Sequence, residues 1–351
     1  MLLVFYFCEL FGVHFKTIVL FFMLWYNIYV FNFMGRRWTI VNVDELKELQ
    51  SRIIKKNKTC NLISIISLIV LLFITLFIFL EKELDLKFIL FGLLFELIFG
   101  LVISTIIKVI INGKSISKFN KEYKNIFVLS ALTNNFENLT YDFEDGFSEQ
   151  KIRETGMFNT CDRFTSNDYV SGNYKNIKFE QSDIHIQEEH EKTDADGNTS
   201  TYWETIFEGR LMIFDFNKNF MANMLVISNS FPMNALLING KLSKIKMEDT
   251  EFNKSFKVYS DLEHDAFYVL TPHFMEKMKK IYNELKCGIM FGFLDNKLYV
   301  AVDNREDSFE YNVFEPIDEK EINNNITKDI KLITDFVNEL NLDNDLFKKE
   351  V

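Results

Sequence analysis

The sequence predicts an α+β protein: an N-terminal transmembrane helical hairpin followed by a soluble antiparallel-sheet domain with flanking helices. Three observations predict it. Two apolar runs, residues 62–80 and 88–107, stand seven residues apart. About 240 residues of mixed, mostly acidic composition follow them. Within these, short segments of two-residue apolar period alternate with helical patterns.

The N-terminus comes first. Residues 1–33 are apolar and rich in aromatics, and Arg36 and Arg37 follow. A signal peptide would need a basic start and a small-residue cleavage site, and neither is present. Two readings stay open: a third membrane helix, or an untranslated stretch ahead of a start at Met34. Residues 34–61 read as a cytosolic amphipathic lead-in. Asn42 is an N-cap with Glu45 three residues on, and Leu46, Leu49 and Ile53 follow at helical spacing.

Residues 62–107 form the two-helix anchor. Nineteen uncharged residues at 1.5 Å each reach about 28 Å, matching a bilayer core of about 30 Å. The second run carries one charge, Glu96. The linker 81–87 allows only a tight turn, so the helices must be antiparallel neighbours. Positive charge orients them. Lys47, Arg52, Lys55, Lys56 and Lys58 precede the first run, and Lys108, Lys114, Lys118, Lys121 and Lys124 follow the second. Only Lys82 and Lys87 lie in the turn. This places the chain in the cell membrane, multi-pass, with both ends of the hairpin and the C-terminal domain in the cytosol.

Residues 108–140 are a connecting helix. Gly113 marks the exit from the membrane, and Ile116, Phe119, Tyr123, Ile126 and Phe127 recur at helical spacing over about 115–135. The cytosolic α+β domain, 141–351, starts with a loop-rich stretch, 140–168. Ile177, Phe179, Ile184 and Ile186 then alternate with polar residues, as in a half-buried strand. The run Thr193-Asp194-Ala195-Asp196-Gly197-Asn198-Thr199 is a hairpin tip. Strands are expected at 202–216, 224–228, 241–247, 255–260, 289–294 and 297–302. Thr271 caps a helix with Pro272 at its first position, and Gly288 closes it. A last helix covers 326–340.

Charge limits the partners. Residues 1–107 carry +2 and the remainder −13. So acidic a domain is a poor candidate for binding nucleic acid or for lying flat on anionic lipid, and no nucleic-acid partner is expected. The basic residues beside the hairpin point instead to the lipid bilayer and its anionic headgroups. The four cysteines, Cys8, Cys60, Cys161 and Cys287, are widely spaced and suit reduced thiols.

Four ordered motifs carry a resemblance. They are Asn167-Asp168-Tyr169-Val170-Ser171-Gly172-Asn173-Tyr174; Ile206-Phe207-Glu208-Gly209 with Phe214-Asp215-Phe216-Asn217-Lys218; Phe252-Asn253-Lys254-Ser255-Phe256-Lys257-Val258-Tyr259-Ser260; and Ala266-Phe267-Tyr268-Val269-Leu270-Thr271-Pro272-His273-Phe274-Met275-Glu276. After a two-helix anchor, this set resembles the uncharacterised prokaryotic membrane-protein family called domain of unknown function 3137, over about residues 40–345. The resemblance implies membrane location and no established activity, so no catalytic residue is carried over. The apolar stretch before Met34 departs from the family pattern.

Few residues stand out chemically. Glu96 lies mid-helix, level with Leu72 and within a turn of Thr75. A charge there costs at least about 2.5–3.5 kcal/mol, so a protonated carboxyl bonded to Thr75 or to a second hairpin is the leading reading. Asp215, Lys218, Asn253 and Lys254, at strand ends beside aromatics, are the ligand-binding candidates, with turn chemistry as the competing account. No metal site is expected. The Asp194 loop lacks the glycine and glutamate of a calcium loop, and His185 and His190, an odd number of residues apart on one strand, point to opposite faces. No cofactor motif is present. The sequence therefore favours a membrane-anchored cytosolic binding module. Its partner would be a protein, a small ligand or a second copy through the hairpin. A membrane-tethered enzyme is the alternative.

Overall fold

The computed structural model describes residues 42–82, 86–158, 162–194, 197–215, 222–232, 242–294 and 296–340. The segment 1–33, Met34, Cys8, Cys161 and Lys218 lie outside it. The chain divides into two compact units, Met1–Glu122 and Tyr123–Val351. The division falls inside the expected connecting helix.

The first unit holds two long helices, α1 (Val43–Lys82) and α2 (Leu86–Tyr123). Asn42 caps α1, its Oδ1 accepting the Glu45 amide at 3.0 Å. The lead-in and the first apolar run are thus one helix. Ser104 Oγ donates to Ser64 Oγ at 2.8 Å, and Lys56 Nζ donates to Ser115 Oγ at 3.4 Å. A residue further along α1 therefore meets one further back on α2, so the helices run antiparallel. Gly100 makes the close approach possible, since a Cβ there would lie 2.5 Å from Leu68 Cδ2. Leu46, Gln50, Ile53 and Cys60 on α1 and Ser104, Asn112 and Phe119 on α2 are buried. The outward faces expose Ile65, Ile69, Phe73, Leu97, Leu101 and Val109, among others, each roughly half or more accessible. Gly113 does not end a helix; α2 passes through it unbroken. By length and composition, one helical stretch among the described residues, Gly100–Asn135, is apolar enough to cross a membrane.

The second unit is built on a nine-stranded antiparallel sheet, with strand order β1-β2-β3-β4-β9-β8-β5-β7-β6. A π-helical turn, Lys124–Val128, and α3 (Leu129–Asn135) lead into β1 (Glu137–Asp142). The stretch expected to be loop holds the second half of β1, a short helix α4 (Glu149–Glu154) capped by Ser148, and the start of β2 (Arg163–Tyr174). The long pair β3 (Ile177–Thr193) and β4 (Thr199–Asp215) follows, then β5 (Met224–Ser228), β6 (Ser243–Ile245) and α5 (Thr250–Ser255). Next come β7 (Phe256–Ser260), α6 (Glu263–Val269), α7 (Pro272–Leu285), β8 (Gly288–Leu294), β9 (Lys297–Asp303) and α8 (Glu319–Leu340).

Both faces of the sheet are covered. One face carries Ile184, Ile186, Leu211, Ile213, Leu225 and Met290 against Phe147, Ile152 and Met157. On the other, Phe179 meets Phe136 at 4.7 Å between ring centroids, and Phe214 and Phe291 both meet Phe336 of α8. The Ile322, Ile326, Ile330, Ile333 and Val337 stripe of α8 is buried, as its three- and four-residue spacing requires. This helix starts earlier than expected because Asp318 Oδ1 accepts the Lys320 amide at 2.9 Å. Thr271 caps α7 as expected. The left-handed position beyond α7 is taken by Lys286, φ 55°. Gly288 instead opens β8, where a Cβ would lie 3.0 Å from the Phe231 Cα.

Candidate functional site

The most unusual chemistry lies inside the second unit, where six elements converge on buried charge. β2 makes a bulge: its register with β3 skips between Asn167↔Asp183 and Val170↔Gln181. The extra residue, Asp168, takes φ 52° and is fully buried. A bulge re-aims a side chain that regular pleating would send elsewhere. Register sets Asp183 of β3 directly opposite Arg210 of β4. The segment after β9 supplies Asp307, Ser308, Phe309 (φ 58°) and Glu310, and α8 supplies Asp329. Lys124 comes from the π-helical turn, a local widening that often marks sites under constraint.

Two ionic knots result. In the first, Lys124 Nζ lies 2.7 Å from Asp168 Oδ2 and 2.5 Å from Glu310 Oε1. Tyr141 OH donates to Asp168 Oδ1 at 2.7 Å. Asn167 Nδ2 donates to Asp168 Oδ2 at 3.0 Å and to Asp307 Oδ1 at 3.1 Å. In the second, Arg210 Nη1 and Nη2 donate to the carbonyl and Oδ1 of Asp329 at 2.8 and 2.9 Å. Arg210 Nη2 also donates to Ser308 Oγ, and its Nε lies 3.6 Å from Asp183 Oδ1. Ser308 Oγ donates to Asp183 Oδ1 at 2.8 Å, and the Ser308 amide donates to Asp183 Oδ2. The Phe309 amide donates to Asp329 Oδ2 at 3.0 Å. Residues 307–310 are thereby clasped onto β2, β3, β4 and α8.

Burial dominates the electrostatics. Desolvation pushes the Asp183 carboxyl up to about 7, against the pull of Arg210 and Ser308. It pushes Asp168 up to about 6, against Lys124 and Tyr141. Burial, then the neighbouring Asp168 carboxylate, raises the Tyr141 hydroxyl well above its ordinary value. Burial alone would lower Lys124, but Asp168 and Glu310 together outweigh it and hold the ammonium above its ordinary value.

One carboxylate oxygen from each of Asp168, Asp183 and Asp307 lies within 4.8 Å of the other two, a spacing that suits a cation. Lys124 and Arg210 already stand against two of the three, however, and both Asp183 oxygens accept from Ser308. The arrangement joins strands, helix and loop.

A cavity of about 400 Å³ lies elsewhere in the unit, with Lys151, Thr155, Met157, Asn223, Leu225 and Tyr299 in its lining. Its polar groups are also engaged within the chain. Lys151 Nζ bonds Glu180 at 2.6 Å, and Asn223 Nδ2 donates to Asp261 at 3.0 Å.

Of the residues singled out from sequence, Asp215, Asn253 and Lys254 belong neither to the knots nor to the cavity lining. Asp215 is exposed at the end of β4, opposite Lys297. Asn253 braces its own loop, Nδ2 donating to the carbonyls of Met247 and Asp249 and Oδ1 accepting the Met247 amide. Lys254 pairs with Glu251 one turn away at 2.7 Å. The side chains of Glu96 and Thr75 and the whole of Lys218 lie outside the described residues. His185 bonds Thr205 at 2.9 Å, and His190 sits 3.1 Å from Glu204. Asp194 bonds the Asn198 amide at 2.9 Å in the hairpin turn. The sequence reading missed Lys124, Tyr141, Asp168, Asp183, Arg210, Ser308 and Asp329. One signal was available: Gln181-Ser182-Asp183 continues the apolar alternation of a strand with polar residues at inward positions.

No curated protein and no solved structure matches the chain. Residues 205–342 match the family model described as "Protein of unknown function (DUF3137)". The match includes Arg210, Ser308, Glu310 and Asp329 and leaves Lys124, Tyr141, Asp168 and Asp183 outside. Over that stretch, from the middle of β4 to the end of α8, the chain resembles the DUF3137 family.

Proposed function

We propose that this protein is a membrane-anchored interaction module. α1 and α2 cross the cell membrane as a hairpin, and the sheet domain works in the cytosol by binding a partner protein or small ligand. The observation that carries the membrane half is the outward apolar face of the helix pair. Ile65, Ile69, Phe73, Leu97, Leu101 and Val109 are exposed on helices that already meet each other at Ser64 and Ser104. A soluble protein rarely leaves so large a contiguous apolar surface in water. The basic residues at the open end of the hairpin support that orientation. The binding half rests on the ionic knots, whose charged groups are consumed in holding the domain together. The enzyme reading draws on the Lys151–Tyr299 cavity, which falls within the size range of ligand sites.

The membrane half is tested by alkaline carbonate extraction and by protease access to a C-terminal tag. The chain should stay with the membrane, and the tag should be cut only from the cytosolic side. Release by carbonate would sink the anchor. For the binding half, in-cell crosslinking and mass spectrometry should recover a stoichiometric partner that is lost when the domain is deleted. A small molecule that stabilises the domain, abolished by Lys151→Ala, would favour the cavity instead.

A further inference from the structure

α1 and α2 gather cations that lie far apart in sequence. The contacts Ser64–Ser104 and Lys56–Ser115 set residues 52–58 of α1 beside residues 108–121 of α2. The antiparallel register that sets Ser64 against Ser104 puts Lys108 level with Cys60, about one turn from Lys56, so both lysines belong to the same part of the helix pair. Lys55, Lys58 and Lys114 are exposed around them. No Asp or Glu stands between Leu49 and Leu80 of α1, or between Leu97 and Lys121 of α2. The apolar surface begins at once beyond this collar, with Leu62, Ile65 and Ile66 exposed on α1 and Ile106, Val109 and Ile110 on α2.

That step from ammonium groups to exposed hydrocarbon has the polarity of a phospholipid, with phosphate at one level and acyl chain at the next. Lysine suits the junction, because its stem lies along apolar surface while the ammonium group reaches the phosphate. A free anion in water would use only the charged half. We infer that Lys55, Lys56, Lys58, Lys108 and Lys114 form a collar that binds anionic phospholipid headgroups, with Lys56, Lys108 and Ser115 seating a phosphate at the helix seam. This inference rests on the membrane reading above and adds to it a preference among lipids.

The test uses the full chain, reconstituted in nanodiscs of phosphatidylcholine mixed with phosphatidylglycerol. Lipid that stays bound after transfer to detergent is counted by native mass spectrometry. Phosphatidylglycerol should be retained about tenfold over phosphatidylcholine, as a cluster of surface lysines implies. Lys56→Gln with Lys108→Gln should remove most of that preference, and Lys56→Arg with Lys108→Arg should keep it. Equal retention of the two lipids overturns the inference while leaving the membrane reading intact. So does a preference that the double Gln variant keeps. Competition by inorganic phosphate alone would reassign the site to a free anion and overturn the lipid assignment. Failure to enter discs of either composition would overturn the membrane reading and the inference with it.

Discussion

β3 and β4 form one hairpin with two unlike halves. The inner half, from Phe179 to Ile186 and from Phe207 to Phe214, lies within the sheet, with β2 on one side and β9 along its last part on the other. It carries Asp183 and Arg210, both almost inaccessible to water. The outer half extends beyond the start of β2 at Arg163 and beyond the pairing of β9 at Arg210, so its strands pair chiefly with each other. It carries Glu188, Glu189, Glu191 and Glu204, with Tyr202 and Trp203 exposed among them. Both halves are rich in charge. Inside, each charge is tied to several partners from distant segments. Outside, the strands pair chiefly with each other, tied to the rest at the base, where the Glu189 amide donates to Asp162 Oδ2 at 2.9 Å and Arg163 stacks on Trp203. Gly209 stands where the pairing with β9 ends: at φ 155° a Cβ would lie 2.1 Å from the Val302 carbonyl oxygen. Only a residue without a side chain lets β4 lie so close to the end of β9 there.

The largest effect should come from Arg210→Ala. It leaves Asp183 and Asp329 without their buried cation and frees the clasp on residues 307–310. Removing one partner of a buried ion pair costs about 3–5 kcal/mol. Thermal unfolding of the detergent-solubilised chain should show a loss of ten degrees or so, on the scale of about 2–4 °C per kcal/mol for a domain of this size. A loss no larger than that of a surface substitution would mean that the knots do not hold the domain. Arg210→Met should recover part of the packing but not the bonds, and should fall between wild type and Arg210→Ala.

The second effect is a pH dependence. Asp183 is raised to about 7 and Asp168 to about 6, both above the 3.8 of a free aspartate. The folded domain therefore binds protons that the unfolded chain releases between about pH 4 and pH 7. Their contribution to stability rises as the pH falls through 7 and then 6, and is lost as the pH climbs back. Melting temperatures should be several degrees higher at about pH 5.5 than at about pH 8. Asp183→Asn, which is neutral at every pH, should flatten much of that slope. A slope of the opposite sign would show that Lys124 and Arg210 outweigh burial.

Much of the framework of this domain was legible in the sequence, but its charged centre was not. α7 could be read because its signals are local: Thr271 and Pro272 at the start, then Phe274, Met275, Met278 and Ile281 on one face. The turn between β3 and β4 could be read from Asp194 and Gly197, and α8 from its isoleucine spacing. The knots depend on pairings that no local pattern carries. Asp183 and Ser308 stand 125 positions apart, and Arg210 and Asp329 119. A polar run such as Gln181-Ser182-Asp183 normally signals water, yet all three are buried. The bulge that turns Asp168 inward leaves no mark on hydrophobic periodicity. The placement of β5 between β8 and β7 is equally non-local.

The arm offers a smaller effect. The Arg163 guanidinium lies 4.0 Å from the centre of the Trp203 ring, and this stack fastens the base of the arm to the start of β2. An exposed cation–π pair contributes about 0.5–1 kcal/mol. Trp203→Ala should lower the melting temperature by a few degrees at most, and proteolysis should speed up within 188–204 before any other segment is cut. A loss as large as that of Arg210→Ala would erase the distinction between the halves.

The smallest effect sets the baseline for the others. Arg153 reaches Glu149 one turn back on α4 with good hydrogen-bond geometry, Nε to Oε1 at 2.8 Å. On paper the contact resembles the Arg210–Asp329 pair, an arginine meeting a carboxylate at hydrogen-bond distance. Its surroundings differ: both side chains are about half exposed, so water and salt compete for each charge. Such an i,i+4 pair contributes about 0.3–0.5 kcal/mol and is screened as ionic strength rises. Arg153→Ala should therefore shift the melting temperature by about a degree in low salt and by nothing measurable in high salt. The Arg210→Ala loss should survive high salt, because no counter-ion reaches that guanidinium. Two arginine–carboxylate pairs in one domain would then differ severalfold in effect. Burial and the number of partners account for that difference, and contact distance does not.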